Sequence, residues 1–455
     1  MAQKLRPAHP LETRVLLQGF DEPSSWTIDV YEKKLGGYAG ARKAVAMAPD
    51  AIITEVKNSG LRGLGGAGFP AGMKWSFIPK NSGKPVYLVC NADEGEPGTF
   101  KDRQIMEHMP HRLVDGMISA ASAIGSETGY IYVRCELRLA IERLEKAIEE
   151  AYAKGYLGKN IFGSGRNFDL TVHPGAGSYI CGEETALIES LEGDRGQPRL
   201  KPPFPAVSGA FGCPTVVNNV ATLANVPGIL LNGAEWFLKL GQNTPRSAGT
   251  FVYSVSGDVK NPGFYELPLG TNLNVLLNEV CGGPLPGRKF KACYPGGSSS
   301  PLLTADEFDV KMDFDSLAAK GTMLGSGAVI VLDDRRSIPE VCMRTARFYA
   351  HESCGQCVPC REGTKWTYLM IKRLVKGEGT QADIDKALQA CANMAGKTIC
   401  VLSDACAMPV TSMIKKFRAE FEALARPASE VTPAVPKVSG QLAELMAAVR
   451  ERQTR

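Results

Sequence analysis

The sequence predicts an α/β protein that continues into a small α+β module and a C-terminal helical bundle. Three observations support this fold class: short apolar runs alternate with amphipathic helices in the first half, strand-like alternation follows, and helix-capping signals dominate thereafter. We therefore expect an α/β domain over residues 1–245, an α+β domain over 246–335, a helical bundle over 336–425 and a tail over 426–455, with a terminal helix at 439–450.

The sheet of the first domain is predicted from three apolar runs. Residues 86–90, 130–133 and 170–172 are short and mostly apolar, as buried strands are. Residues 137–152 repeat apolar side chains every three or four positions and predict an amphipathic helix. Strands separated by helices of this length usually pair in parallel, so the sheet should be mostly parallel.

The second domain is predicted from alternation and turns. Residues 251–255 place large apolar side chains at every second position and indicate a half-buried strand, and residues 264–267 return the chain. Residues 273–280 predict a short helix, and residues 328–332 predict a closing strand. Together these elements form an α+β module.

Capping signals predict the helices of the third domain. Ser337 and Glu340 have the spacing of a capping box, and so do Thr380 and Asp383. These signals and the apolar periodicity indicate about four helices, hence a bundle. Two of these helices are expected at 364–376 and 410–425.

The composition excludes several classes of protein. The 455 residues carry a net charge of only +4, which does not indicate nucleic-acid binding, and no apolar run reaches the ~18 residues of a membrane helix. The first residues lack the apolar core of a secretory signal, so we expect an intracellular protein without direct membrane insertion. The 13 cysteines are odd in number and the chain is large, which argues against a disulfide framework.

A glycine-rich loop at residues 63–68 has the pattern G-x-G-x-x-G. Such a loop lets backbone N–H groups approach a phosphate, because no Cβ stands in the way. The pattern alone fits a tight turn equally well, and residues 51–57 resemble a helix end instead of the strand that precedes a dinucleotide loop. Neighbouring cationic and aromatic side chains favour a ligand: Arg62, Phe69, Lys74, Trp75 and Phe77.

Two acidic segments are further candidates. Asp93, Glu94 and Glu96 follow the first predicted strand, at the edge of the sheet where α/β proteins bind ligands. The alternative for these three residues is a solvated loop. Glu183 and Glu184 begin a predicted helix, where they either contact a ligand or simply complement the helix dipole.

Two more segments carry polar or aromatic candidates. Lys201 and Phe204 stand in a proline-stiffened loop that displays one charge and one ring. Asn218 and Asn219 lie at a helix start, where they either bind a ligand or serve as plain N-caps. The sequence alone leaves both alternatives open.

Cys354, Cys357 and Cys360 form the strongest motif in the sequence, C-x2-C-x2-C. Three thiolates at this spacing bind three corners of an iron–sulfur cubane, whereas zinc sites more often use two separated pairs. The bacterial ferredoxin pattern would place a fourth cysteine at position 364, which is threonine here. The fourth ligand must come from elsewhere in the chain. The first candidate is Cys400, and the alternatives are Cys406 and Cys391.

Four motifs together resemble one known family. They are residues 60–70 (GLRGLGGAGFP), 91–98 (NADEGEPG), 182–185 (GEET) and 352–361 (ESCGQCVPCR). From about residue 10 to 425, the chain is similar to the flavin-bearing, NADH-binding subunit of respiratory complex I. The same family includes the diaphorase subunits of NAD-linked hydrogenases and formate dehydrogenases.

The resemblance implies a Rossmann-like domain that binds FMN and NADH, a ubiquitin-like α+β domain and a four-helix bundle with a [4Fe–4S] cluster. It implies Glu96 and Glu184 as catalytic residues. Phe69, Phe77 and Phe204 would lie near the adenine of NADH. The implied cluster ligands are Cys354, Cys357, Cys360 and Cys400. The implied cofactor contacts are Gly60, Arg62, Gly63, Gly65, Gly66, Gly68, Phe69, Lys74, Phe77, Asn91, Asp93, Glu94, Glu96, Tyr179, Gly182, Glu183, Glu184, Lys201, Phe204, Asn218, Asn219 and Thr222.

The resemblance also implies a reaction and partners. The chain would take hydride from NADH onto FMN and pass single electrons to the cluster and on to partner subunits that reduce quinone. The expected partners are a thioredoxin-like [2Fe–2S] subunit, a larger multi-cluster iron–sulfur subunit and the remaining complex I subunits. This places the chain in the cytoplasm, peripheral to the inner membrane. Leu64 departs from the family pattern, which has arginine, and the lost charge is expected to weaken a phosphate or loop contact.

Two alternatives stay open. One keeps the chemistry and changes the assembly, as the diaphorase subunit of a soluble NAD-linked hydrogenase or formate dehydrogenase. The other is a zinc-stabilised binding scaffold without redox activity, which would leave the aromatic residues around the glycine loop unexplained.

Overall fold

A computed structural model describes residues 8–242 and 246–430. The strands of the first domain are β1 Tyr87–Ala92, β2 Thr128–Val133, β3 Asp169–Pro174 and β4 Thr215–Asn219. They form one parallel sheet in the spatial order β3–β2–β1–β4, as the alternation of strands and helices predicts. Sequence reasoning missed β4, because this strand of five residues runs directly into a helix and its asparagines resemble a helix start.

Helices surround this sheet. In chain order they are α1 Ile28–Lys34, α2 Ala39–Ala46, α3 Pro49–Asn58, α4 Ala71–Trp75, α5 Lys101–His108, α6 Pro110–Ile124, α7 Arg138–Ala153, α8 Glu184–Leu191, α9 Val220–Asn232 and α10 Ala234–Leu240. Helix α6 is buried along its whole length, and an added Cβ on Gly116 would lie 2.2 Å from the Leu223 carbonyl oxygen of α9. The glycine loop follows α3, so a helix precedes it, as predicted.

The second domain is built on a mixed sheet. Its strands are β5 Thr250–Gly257, β6 Gly263–Pro268, β7 Phe290–Tyr294, β8 Leu303–Thr304 and β9 Ala328–Asp333, with a π-helical turn at Val275–Val280 and α11 at Phe314–Ala319. The spatial order is β6–β5–β9–β7–β8, with β5 and β9 parallel, as in a ubiquitin-like sheet. The prediction that β5 is half-buried is wrong, since residues 250–255 are all buried. Helix α5 of the first domain covers the face expected in solvent, where the Phe100 N–H donates to Ser254 Oγ at 3.1 Å.

The third domain is a four-helix bundle. Its helices are α12 Ile338–Glu352, α13 Val358–Val375, α14 Gln381–Met394 and α15 Leu402–Lys416, followed by the short α16 Arg418–Glu422. The capping box of Thr380 and Asp383 is confirmed, and Ser337 caps α12. The predicted starts of α13 and α15 are wrong. Helix α13 begins at Val358 because Pro359 fits the first turn, where its missing N–H costs nothing, and α15 continues through Pro409.

The packing joins the domains. Val89 of the first sheet, Tyr294 of the second sheet and Met413 of the bundle share one hydrophobic core. No helix within the described ranges has both the length and the apolar character needed to cross a membrane. The predicted helix at 439–450 and the tail after residue 430 lie outside the described residues.

Candidate functional site

The glycine loop offers its backbone on one side and is tightly packed on the other. The Gly63 N–H donates to the Phe69 carbonyl at 2.8 Å and closes the loop. An added Cβ on Gly65 would lie 2.9 Å from Asn219 Cβ, so a side chain there would collide. Gly66 has a φ of +136° and nothing within 4 Å of an added Cβ. A ligand can therefore approach the backbone at Gly66 without steric hindrance.

Two residues that were predicted to contact a cofactor, Arg62 and Thr222, form hydrogen bonds with the glycine loop. Thr222, fully buried in α9, accepts the Leu64 N–H at 2.8 Å. Arg62 Nε donates to the Gly68 carbonyl at 2.6 Å, and its guanidinium lies 4.5 Å from the centre of the Phe314 ring. Leu64 is only 4% exposed and belongs to the hydrophobic core. The residue that replaces the arginine of the family pattern thus packs inside the protein.

Three asparagines line the carboxyl edge of the sheet. Asn91 and Asn219 are register partners of β1 and β4, which brings these distant segments together. Asn91 Nδ2 donates to the Gly182 carbonyl at 2.8 Å, and Asn218 Oδ1 accepts Trp75 Nε1 at 2.8 Å. Asn219 caps α9 with its side chain, as the plain N-cap alternative proposed.

Asp93 has a buried carboxylate oxygen, Oδ2, with no hydrogen-bond partner among the described residues. Burial raises the pKa of Asp93 to about 7, although the positive charge of Arg134 opposes the shift. An ideal Cβ on Gly182 would lie 3.7 Å from the same oxygen, so the glycine keeps space in front of it. Buried polar atoms are normally paired, which makes this oxygen a candidate acceptor for a ligand.

Glu94 has a capping role that the sequence did not suggest. Its carboxylate oxygens accept the N–H groups of Asp102 at 2.7 Å and Arg103 at 2.9 Å, at the start of α5. Burial raises the pKa of Glu94, and the neighbouring Asp102 carboxylate adds to this effect. Its contact with a cofactor stays a prediction.

Two lysines and two glutamates form a charged group between the glycine loop and α8. Lys74 Nζ lies 2.7 Å from Glu184 Oε2, and Lys201 Nζ lies 2.9 Å from Glu183 Oε1 and 3.2 Å from Glu184 Oε1. Burial alone would raise the pKa of Glu184, but the charges of Lys74 and Lys201 outweigh it and hold the pKa below its usual value. Glu183 also caps α8.

Three phenylalanines close to these lysines in sequence expose their rings. Phe69 is 46% exposed, Phe77 is 52% exposed and Phe204 is 58% exposed. The ring centres of Phe69 and Phe77 lie 6.1 Å apart with their planes tilted by 47°. Exposed rings beside cationic side chains offer a stacking surface to a flat heteroaromatic group.

Glu96 and Tyr179, both predicted cofactor contacts, form a hydrogen bond with each other. The Tyr179 hydroxyl donates to Glu96 Oε2 at 2.7 Å. Gly95 lies against the same ring, where an added Cβ would be 3.2 Å from Tyr179 Cδ2. Tyr179 begins a short 3-10 helix, Tyr179–Gly182, which also contacts β1 through Gly182.

Cys354, Cys357, Cys360 and Cys400 line one pocket at the amino end of α13. The Ser353 hydroxyl lies 3.2 Å from Cys360 Sγ. Apolar side chains complete the wall: Ile180, Pro198, Ile399 and Leu402. The rival cysteines for the fourth position are almost fully buried in the bundle and do not line this pocket: Cys391 and Cys406. The geometry therefore brings Cys400, and not its rivals, to the motif.

The positions of these sulfurs do not favour a single zinc ion. In the described part of the chain, one group places three potential metal-ligand atoms of His, Cys, Asp or Glu within 4.8 Å of one another, and it consists of Glu189, Glu192 and Asp194. Arg199 forms ion pairs with both glutamates of this group. No three of the four cysteine sulfurs meet that limit. Tetrahedral zinc with Zn–S bonds of about 2.3 Å holds its thiolates about 3.8 Å apart. A cubane cluster spans a wider pocket.

Sequence reasoning missed two serines of this region. The Ser299 N–H donates to Glu96 Oε1 at 2.8 Å, and the Ser298 hydroxyl lies 3.3 Å from the same oxygen. Both serines follow β7, about two hundred residues after Glu96. The run Gly-Gly-Ser-Ser-Ser at 296–300 was the available signal for a tight polar turn.

Family models match most of the chain. The Nuo51 FMN-binding domain matches residues 56–228, the SLBB domain matches residues 252–302, and the NADH-ubiquinone oxidoreductase-F iron-sulfur binding region matches residues 340–424. These models cover the glycine loop, the turn that contacts Glu96 and the four cysteines.

Whole-chain relatives agree with these models. An NADH-quinone oxidoreductase F subunit of Rhizobium meliloti is 54% identical over 410 residues, which are 90% of this chain and 97% of that protein. The corresponding F subunit of Streptomyces coelicolor is 50% identical over 424 residues, 93% of this chain and 94% of that protein. A chain of the NAD+-reducing [NiFe]-hydrogenase in its H2-reduced state is 38% identical with a TM-score of 0.80, over 98% of this chain and 71% of that chain. The chain belongs to the family of NADH-quinone oxidoreductase F subunits.

Proposed function

We propose that this chain oxidises NADH at a bound FMN and delivers single electrons to a [4Fe–4S] cluster, as one subunit of a respiratory NADH:quinone oxidoreductase. One observation carries the proposal: the helix Tyr179–Gly182 borders both sites. We call the glycine loop (residues 63–68) together with Asn91, Asp93 and Asn218 the cradle. The Gly182 carbonyl accepts Asn91 Nδ2 of this cradle, and Ile180 lines the cysteine pocket. When bound, FMN supplies a hydride acceptor that releases electrons singly, and the cluster supplies a one-electron carrier.

The residues of the cradle fit FMN. The open backbone at Gly66 suits a phosphate, because N–H groups can approach it, and Lys74 supplies a positive charge nearby. The unpaired Oδ2 of Asp93 suits a polar edge of a flavin ring. The hydrogen bond from Trp75 Nε1 to Asn218 Oδ1 fixes the positions of these two side chains. These residues bind and orient the flavin.

The residues that face outward fit NADH. Phe69, Phe77 and Phe204 expose rings on which an adenine can stack. Glu96 and Glu184 are the catalytic residues of this proposal, because they would bind the nucleotide and orient it for hydride transfer. Lys201 keeps the Glu184 carboxylate in place. Hydride transfer itself needs no proton donor from the protein, so orientation is the task of these side chains.

The cysteine pocket fits a cubane cluster. Its four thiols come from one motif and one inter-helix connection, and their positions do not favour a zinc site. Cys354, Cys357, Cys360 and Cys400 would be the ligands. The apolar side chains of Ile180 and Leu402 line the same pocket and would lie against the cluster.

Each of the three predicted regions has its own role. In this proposal residues 1–245 bind FMN and NADH, residues 246–335 support the site, and residues 336–425 hold the cluster. Val358 and Val401, each adjacent in sequence to a cluster ligand, are 56% and 73% exposed. Exposed apolar residues beside an electron carrier suit a docked partner.

The proposal also includes the partner subunits and the cellular location. Electrons would pass to a thioredoxin-like [2Fe–2S] subunit and a larger multi-cluster subunit, together with the remaining complex I subunits. The chain would lie on the cytoplasmic side of the inner membrane, as a peripheral part of that complex. A second assembly is favoured by one observation, the match over 98% of this chain to a NAD+-reducing hydrogenase. In that case the same chemistry serves a hydrogenase or formate dehydrogenase.

An anaerobic absorption spectrum of the full-length protein, before and after NADH, tests the chemistry. We expect a flavin band at about 450 nm over a broad iron–sulfur shoulder, and its bleaching by NADH. A colourless zinc protein that stays unresponsive after reconstitution with FMN, iron and sulfide would contradict the proposal. Co-purification of a hydrogenase subunit instead of complex I subunits would change the assembly and leave the chemistry intact.

A further inference from the structure

Glu96 accepts hydrogen bonds from the first and second domains, and the bundle reaches it indirectly through Ser298. Tyr179 of the first domain donates to Oε2 at 2.7 Å. Ser299 and Ser298 of the second domain approach Oε1 at 2.8 Å and 3.3 Å, through a backbone N–H and a hydroxyl respectively. The Ser298 hydroxyl in turn lies 2.9 Å from the hydroxyl of Tyr349, which belongs to α12 of the bundle.

The chemistry of these groups fixes the direction of each hydrogen bond. An ionised carboxylate only accepts, so the Ser298 hydroxyl donates its single proton to Glu96. The Ser298 oxygen is then free to accept from the Tyr349 hydroxyl, 2.9 Å away. Burial raises the pKa of Tyr349 well above its ordinary value, and the Glu96 charge adds to this effect, so the phenol keeps its proton at neutral pH. Linked donors of this kind strengthen one another.

The backbone of the turn is shaped for this contact. Gly297 has a φ of +100°, and an added Cβ there would lie 2.6 Å from Glu96 Oε1. Any side chain at this position would displace the carboxylate. Ser298 is 6% exposed and Tyr349 is fully buried, so water does not compete for these hydrogen bonds.

We infer that Ser298 and Tyr349 are positioning residues that hold the Glu96 carboxylate in the orientation in which it meets the nicotinamide nucleotide. The inference rests on the proposed function, because it requires that Glu96 contacts NADH. Because both hydroxyl-bearing side chains are buried, each acts on a bound nucleotide only through the carboxylate. Loss of the Ser298 hydroxyl removes one of the three hydrogen bonds to Glu96, and loss of the Tyr349 hydroxyl removes the support of that bond, so either change loosens the carboxylate and weakens nucleotide binding.

The test uses the full-length holoprotein with Ser298→Ala or Tyr349→Phe, and Tyr294→Phe as the matched control. Tyr294 is buried beside the same helix, but its hydroxyl lies 2.7 Å from Thr345 Oγ1. Calorimetric titration with NAD+ should show a dissociation constant raised about 3- to 10-fold in both test variants, the effect of one lost hydrogen bond. The KM for NADH should rise by a similar factor, while kcat changes less than about twofold. Ser298→Thr, which keeps the hydroxyl, should restore binding.

The outcomes separate this inference from the proposed function. Wild-type affinity for NAD+ in both test variants would overturn the inference, and so would an equal loss in Tyr294→Phe, which would mean that the interface is merely structural. FMN and iron contents equal to those of the wild type establish that each variant has folded. Failure of the proposed function looks different, because then the wild-type protein itself neither binds NAD+ nor bleaches with NADH.

Discussion

Lys74 Nζ lies 2.7 Å from Glu184 Oε2, although 110 residues separate the two side chains in sequence. The pair joins the helix that follows the glycine loop to the first turn of α8. Lys74 is thereby fixed next to the cradle before any ligand arrives. A phosphate that binds here meets a lysine whose position is already set, which lowers the entropic cost of binding.

Lys74→Ala should lower the affinity for FMN. The variant removes a charge-assisted contact to the phosphate, so we expect the dissociation constant for FMN to rise about 10-fold or more. Flavin released by acid from the purified protein and measured by fluorescence reports the occupancy. Lys80→Ala is the control, because Lys80 pairs with Asp50 at the surface, 2.7 Å away. Equal flavin content in both variants would contradict a role of Lys74 in FMN binding.

Cys400→Ala should lose the cluster, whereas Cys406→Ala should keep it. Cys400 lines the pocket with the three motif cysteines, and Cys406 is fully buried on α15 outside that pocket. Iron and sulfide per protein, together with the electron paramagnetic resonance signal of the reduced protein, measure the result. The reverse pattern would assign the fourth ligand to Cys406.

Asp93→Asn should stabilise the flavin-free protein at alkaline pH. Burial raises the pKa of Asp93 to about 7 in the fold, and an unfolded aspartate titrates at about 3.9. At a pH between these two pKa values, the folded chain keeps a proton on Asp93 that the unfolded chain has lost. The free energy of unfolding therefore falls as the pH rises from the lower pKa to the higher one. We expect the melting temperature of the variant to exceed that of the wild type more at pH 8 than at pH 5. Asp194→Asn, at an exposed position, should show no such pH-dependent gain.

Gly68→Ala should distort the cradle, and Gly83→Ala should not. Both glycines have positive φ, +65° and +66°, so both alanines cost about 1–2 kcal/mol from backbone strain alone. An added Cβ on Gly68 would also lie 2.5 Å from Phe314 Cε1, whereas Gly83 has nothing within 4 Å. We expect a larger drop in melting temperature and lost FMN only for Gly68→Ala. Equal effects would mean that the contact with Phe314 relaxes freely.

Local patterns in the sequence predicted local features well. The C-x2-C-x2-C motif identifies three cysteines because they lie within seven consecutive residues, where the loop and the start of α13 bring them together. The capping box at Thr380 and Asp383 is equally local. The choice between Cys400 and Cys406 depends instead on how the connection from α14 to α15 folds back toward α13, which spacing does not determine.

Features that depend on contacts between distant segments were missed or mispredicted. Strand β5 has the alternation of a half-exposed strand, yet α5 of another domain covers it. Glu94 is close in sequence to Asp93, but it caps a helix while Asp93 keeps an unpaired oxygen. Ser298 reaches Glu96 from another domain, and no periodicity in the sequence encodes that contact.

The shared core around Val89, Tyr294 and Met413 limits how this chain can vary. A chain that ended before α12 would leave the apolar side chains of two sheets facing water, and a bundle expressed alone would lose the surface on which it folds. We therefore expect the three regions to unfold together. We expect fusions that carry all three regions to fold better than fusions that carry one, and insertions to be tolerated best in exposed loops.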